Sequence, residues 1–232
     1  MNNNIVRIVC ISDTHSKHNQ IKDTLGEIPD GDILVHAGDI SNIGEIQDVN
    51  KFLVWFDSLQ HKNKVFIAGN HDFLFENERN VAVAMLEDYE NINYLENQSK
   101  VVQGLKFWGS PVTPPFCNWA FNKEQDYRAQ LWETIDDDTD ILITHGPPRD
   151  ILDFSPYGNE HAGCPYLKIR VKKVKPMISI HGHIHSGYGV YEEDGTLFVN
   201  ASTLNERYSV TNKPIVIDVD KENRKVTLVD CG

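Results

Sequence analysis

Short apolar runs recur along this chain, and amphipathic stretches separate them. The runs at residues 5–12, 33–36, 65–68, 141–144 and 177–181 are rich in β-branched side chains, which predicts five buried strands. Residues 45–59, 78–87 and 124–134 instead space their apolar positions as helices do. The pattern changes in the last third. Residues 189–200, GVYEEDGTLFVN, read as a hairpin around Asp194-Gly195, and residues 214–230 as two more strands joined by a polar turn. Strands with helical crossovers, followed by hairpins, predict an α/β fold with mixed sheets. No repeat or flexible linker interrupts the pattern, so residues 1–232 are expected to form one domain. Two irregular stretches, 109–122 and 146–165, are long for a compact domain, and such loops tend to be functional.

Composition narrows the picture. Of the 232 residues 40% are hydrophobic, enough for a sizeable core, yet no stretch approaches the ~18 apolar residues of a membrane span. The first strand begins almost at the start of the chain, so no signal or transit peptide is expected and the cytoplasm is the predicted location. Cys10, Cys117, Cys164 and Cys231 lie far apart with no CxxC pair, which suits a reducing compartment better than a zinc ribbon or disulfide framework. A net charge of −12 disfavours duplex nucleic acid as a partner. The densest basic run spans 168–175; Leu167, Val171 and Val174 fall there at helical spacing, which predicts a buried stripe with solvated lysines opposite. A phosphate-binding patch is the alternative reading of that run. The oligomeric state is left open, a dimer included.

Each of the five core strands ends in groups able to bind metal. SDTH supplies Asp13 and His15, HAGD supplies Asp39, and AGNHD supplies Asn70, His71 and Asp72. THGPP supplies His145, and HGHIH supplies His183 and His185. Taken singly, each has a plainer reading: a turn, a helix cap at Asp39, or a packed core histidine at His145. Five such endings in order are a different matter, because ligands in open α/β sheets bind beyond the carboxyl ends of the strands. Nitrogen and oxygen donors without thiolate suit Mn²⁺ first, with Fe or Zn²⁺ as alternatives. His183 and His185 are two apart, so an extended segment would point both to one side, and His181 with them.

The series SDTH, GD, GNHD, THG and GHIH resembles the calcineurin-like metallophosphoesterase superfamily. ISDTHSKH, GSPVTPPFCNWAFN, THGPPRDILD and HGHIHSGYG further resemble its branch of metallophosphoesterase-domain brain proteins and related phosphodiesterases. The resemblance implies a four-layer α/β/β/α sandwich of two mixed sheets. It assigns Asp13, His15, Asp39 and His185 to one divalent metal ion, and Asp39, Asn70, His145 and His183 to a second. Asp39 then bridges the two, and a bridging hydroxide attacks phosphorus in line. Two ions, two carboxylates and one hydroxide leave the site about one positive charge, enough to draw a phosphoester to an acidic protein. His71, oriented or charged by Asp72, is implied as the acid at the leaving group, since imidazoles titrate near neutrality. His181 is left to packing.

The expected substrate is a small phosphodiester, a cyclic nucleotide being one example. Candidate contacts are Asn70, Arg149 and Trp119, with Phe116, Trp119 and Phe121 able to stack a base or else to plug the loop onto the core. His161 and Cys164 are assigned no chemistry. A phosphomonoesterase or nuclease on the same core is the alternative activity, and a metal-binding scaffold without catalysis the alternative class.

Overall fold

In a computed structural model, which describes residues 4–230, each predicted core strand is present. The chain runs β1 (Ile5–Ile11), α1 (Gln20–Leu25), β2 (Ile33–His36), α2 (Ile46–Ser58), β3 (Asn63–Phe66), α3 (Phe73–Asn77), α4 (Arg79–Ala84) and β4 (Ile92–Tyr94). A second half follows with β5 (Gln98–Val102), β6 (Leu105–Ser110), α5 (Gln125–Glu133), β7 (Ile141–Thr144), β8 (Phe154–Ser155) and β9 (Glu160–His161). It ends with α6 (Pro165–Val174), β10 (Ile178–His181), β11 (Gly189–Glu193), β12 (Thr196–Asn200), β13 (Ile215–Asp220) and β14 (Lys225–Val229).

Two six-stranded mixed sheets result, ordered β14-β13-β1-β2-β3-β4 and β11-β12-β10-β7-β6-β5. The side-chain period of two builds the layers. On β1, Ile8 and Cys10 enter the core between the sheets, while Val9 and Ile11 turn outward. Ile141, Ile143, Ile178 and Ile180 meet that inner core from the other sheet. Val49, Phe52, Leu53 and Phe56 of α2 cover Val9, Ile11 and Leu34. Leu131 and Trp132 of α5 and Leu167 and Val171 of α6 cover Trp108 and Leu142. The stack is therefore helix, sheet, sheet, helix. β2 and β7 are apolar up to their last residue because both of their faces are covered.

Several expectations are met closely. Asp194 and Gly195 both take positive φ, 54° and 84°, in the β11–β12 turn. Leu167, Val171 and Val174 are buried along α6 with Lys172 and Lys173 on its solvated face, although Arg170 of the same basic run is buried. Others need correction. Residues 78–87 form only the short α4 before breaking into turns, and α3 precedes it. β4, β5 and β6 fall where no strand was predicted, and a two-stranded ribbon, β8–β9, lies inside the long loop 146–165. Among the described residues Cys10, Cys117 and Cys164 are free, and no helix is long and apolar enough to cross a membrane. Cys231 lies outside the described residues.

Candidate functional site

The carboxyl ends of β1, β2, β3, β7 and β10 converge on one cleft floor. Donor atoms there gather into three overlapping groups: Asp13, His15 and His185; His15, Asp39 and His71; and Asp39, His145 and His183. Asp39 belongs to two of them. Its Oδ2 lies 3.2 Å from His145 Nε2 and 3.6 Å from His15 Nε2, while its Oδ1 accepts the His71 backbone N–H at 2.8 Å. Asn70 Oδ1 is 2.9 Å from His145 Nε2. Asp13 accepts the His183 backbone N–H at 3.0 and 3.1 Å and the Ser202 hydroxyl at 2.9 Å, and its Oδ1 lies 3.4 Å from His185 Nε2.

The surrounding hydrogen bonds aim the imidazoles. His145 Nδ1 donates to the Ala37 carbonyl, His185 Nδ1 to Asn205 and His71 Nδ1 to Asn42. Each therefore leaves Nε2 for the cleft floor, an arrangement that fixes tautomer and ring orientation in metal sites. Electrostatics follows from burial. Burial alone would raise the Asp13 and Asp39 carboxyls, but His185 beside Asp13 and His145 beside Asp39 hold both well below the usual range. Burial opposes a charge on His145, yet Asp39 lifts it to about 9. Burial keeps His15 near 4 and His183 near 3, so both are neutral imidazoles at pH 7.

A family model for calcineurin-like phosphoesterases matches residues 6–187. The chain belongs to the calcineurin-like phosphoesterase family. It is 38% identical to human metallophosphoesterase domain-containing protein 1, across 92% of this chain and 71% of that protein. It is 32% identical to the Caenorhabditis elegans UPF0046 protein K07C11.7, across 94% of this chain and 76% of that protein. Of solved structures, TT1561 of Thermus thermophilus superimposes with a TM-score of 0.64 at 15% identity, covering 97% of this chain and 99% of that one, and so shares the fold.

Family membership makes the chain a metal-dependent phosphoesterase, and its donor atoms fit divalent ions. His15 Nε2 and His185 Nε2 lie 3.4 Å apart, and with its Nδ1 proton committed to the Asn205 carbonyl, a neutral His185 turns an Nε2 lone pair to the site. Imidazole lone pairs of this kind are what a divalent ion takes. Backbone shape makes room for the carboxylates: a Cβ built on Gly182 would stand 1.9 Å from Asp13 Oδ2 and 2.2 Å from Ser12 Oγ. Gly182→Ala is therefore expected to push Asp13 aside. Overpacking of this kind costs ~1–3 kcal/mol, so Tm should fall by about 5 °C and Mn²⁺ content by half or more. Thermal scans and elemental analysis would check it, and unchanged values would show that the close approach is dispensable.

Two expectations are corrected here, and the packing role left to His181 stands. His183 has φ 65° and His185 begins a 3₁₀ turn, so the segment is not extended. The two rings diverge instead, His183 to 5.0 Å from the His145 ring and His185 to 5.4 Å from that of His15. His181 is buried with both ring nitrogens lacking a partner, and it joins none of the donor groups. Asp72 does not orient His71. It turns inward to accept the N–H groups of Ile40, Ser41 and Gly69 and the Ser41 hydroxyl, stapling the β2 and β3 loops together. Burial and then the charge of Asp39 raise it to about 6.

The cleft above the floor measures about 500 Å³. Trp119 stacks on His71 with centroids 3.9 Å apart, and the Ala120 N–H ties this loop to the Asn70 carbonyl at 3.0 Å. Phe116 is 62% exposed on the wall, whereas Phe121 is 4% exposed in the core and cannot stack a ligand. Arg149 lines the cleft, with Asp150 3.8 Å away. Two lining residues had no assigned chemistry. His161 donates Nδ1–H to the buried Asp153 at 2.6 Å, a pairing between loop positions that spacing does not announce. Arg128 was legible in principle, since it shares an α5 face with Leu131 and Trp132 at i+3 and i+4.

Proposed function

We propose that the chain, acting as one domain, is a phosphodiesterase for small phosphodiesters, cyclic nucleotides among them. The observation that carries this reading is Asp39, shared by two donor groups on the floor of a cleft with Phe116, Trp119 and Tyr208 on its walls. Asp13, His15, Asp39 and His185 hold one ion; Asp39, Asn70, His145 and His183 hold the other, with Mn²⁺ as the favoured metal. When bound, such ions neutralise charge at phosphorus and supply a nucleophile from water at neutral pH. The protein's own groups do the rest. Asn70 meets a phosphoryl oxygen, and His71, held by the Asn42 carbonyl, delivers a proton from Nε2 to the leaving oxygen. Trp119 and Phe116 shelter the organic substituent, and Arg149 meets an oxygen of a phosphate carried by the substrate. Among the described residues Cys10, Cys117 and Cys164 are free and far apart in sequence, which supports a cytoplasmic setting.

A diester carries one charge and a second organic group, which suits a site of about plus one beneath aromatic walls. With Mn²⁺-loaded protein, bis-nitrophenyl phosphate or a 2′,3′- or 3′,5′-cyclic nucleotide should exceed nitrophenyl phosphate in kcat/KM by at least about tenfold, ~1.4 kcal/mol of discrimination. A monoester turned over tenfold better than every diester would make the protein a phosphatase instead.

A further inference from the structure

The cleft contains a cation that this reading does not use. Arg128 projects from α5, is only 7% exposed and still lines the cleft. Its Nε donates to the Lys123 carbonyl at 2.8 Å and its Nη1 to Cys164 Sγ at 3.0 Å. Neither acceptor is a carboxylate, and among the described residues no carboxylate pairs with this guanidinium and none accepts from Nη2. Burying a charge is costly unless it is paired. The contrast within the protein is direct: Arg170, similarly buried on α6, has Asp137 at 2.7 Å. An unpaired guanidinium at a cavity wall marks where the anion of a ligand belongs.

Its surroundings favour an anion too. The Arg149 backbone N–H donates to the Cys164 carbonyl at 3.1 Å, so the two arginines flank the same residue, and both side chains line the cleft. Cys164 is the N-cap of the ten-residue α6, which has no side-chain cap, and Pro165 in its first turn also lines the cleft. Free N–H groups at a helix start attract oxyanions. Besides Asp39 on the floor, the acidic lining residues are Glu160 and Glu206, which are more open to water than Arg128 and better screened by it. Two anchored nitrogens fix the Arg128 plane, so the free edge is oriented before a ligand arrives.

We propose that Arg128 and Arg149 form an anion subsite for a second phosphoryl group of the substrate, apart from the ester that is cleaved. The proposal rests on the phosphodiesterase reading and narrows it to phosphodiesters that bear another phosphate. Full-length, Mn²⁺-loaded protein would be assayed with thymidine 5′-(nitrophenyl phosphate), with and without a 3′-phosphate. The 3′-phosphate should improve kcat/KM by about tenfold, chiefly through KM. In Arg128→Met the ratio between the two esters should fall to about one, and Arg149→Ala, a change at a half-exposed side chain, should lower it by about threefold. No advantage from the 3′-phosphate, or equal losses on both esters that preserve the ratio, would overturn the subsite. Should neither ester be hydrolysed, the phosphodiesterase reading fails by itself. Calorimetric binding of thymidine 3′,5′-bisphosphate against thymidine 5′-phosphate then decides the subsite, with an equal affinity overturning it.

Discussion

Asp39→Asn should leave a folded protein that retains less than one Mn²⁺ per chain and loses about 10³-fold or more in phosphodiester hydrolysis. Asp39 is the one carboxylate common to two donor groups, so under the proposed two-ion assignment its charge would serve both, and Lewis-acid stabilisation by metal is worth several kcal/mol at ~1.36 kcal/mol per tenfold. Asparagine is the informative replacement because Asp39 sits at φ 55°, a left-handed conformation that asparagine tolerates and alanine strains. The amide also keeps an oxygen for the His71 N–H, which donates at 2.8 Å in the parent protein. Loss of charge is then separated from loss of shape. Asp39→Ala should share the loss of metal and activity and add a modest drop in Tm. Elemental analysis, circular dichroism and a nitrophenyl diester assay would decide it. Two ions retained at full occupancy would remove Asp39 from the bridging role.

The fold was readable from the sequence where strands are buried on both faces. There the sequence must be apolar residue after residue, as in Ile141–Thr144, and the polar ligand following such a run stands out. It was unreadable at edges. β5 exposes Gln98, Ser99, Lys100 and Val101 to solvent, so it carries no apolar signature, and β6 follows it with only Leu105, Phe107 and Trp108 to mark a strand. The donor set was legible for the same reason as the buried strands, but the directions of its side chains were not. His183 and His185 diverge because of backbone dihedrals, a positive φ and a 3₁₀ turn, that spacing cannot supply. Asp72 looked like the partner of its neighbour His71 and is instead a staple between two loops, a contact between Asp72 and residues more than thirty positions away. Arg128 was hidden by the habit of reading arginine on a helix as solvated, although its own face of α5 is apolar.

His71→Ala should discriminate between leaving groups. General acid catalysis typically contributes ~10²–10⁴-fold, and it matters most when the departing oxygen is strongly basic. Alkyl and nucleoside esters should therefore lose about 10²-fold or more, while a nitrophenyl ester, whose leaving group departs without a proton, should lose less than about tenfold. The structure gives the substitution a clean character in one respect: the residue 71 backbone N–H that holds Asp39 survives it. The ring itself makes two further contacts, the stack on Trp119 at 3.9 Å and an edge on His15 at 4.6 Å, so a fall in Tm worth ~0.5–1.5 kcal/mol is expected. One competing role must be separated. The His71 donor atom lies within reach of His15 and Asp39, and Nδ1 is already engaged by the Asn42 carbonyl, which leaves Nε2 for the site. A ligand at that position would take metal with it when removed and slow all esters alike. An acid there would leave metal content unchanged and steepen the dependence of rate on leaving-group pKa. Metal analysis beside a series of aryl and alkyl diesters distinguishes the two, and an equal loss across the series would take the proton-donor role away from His71.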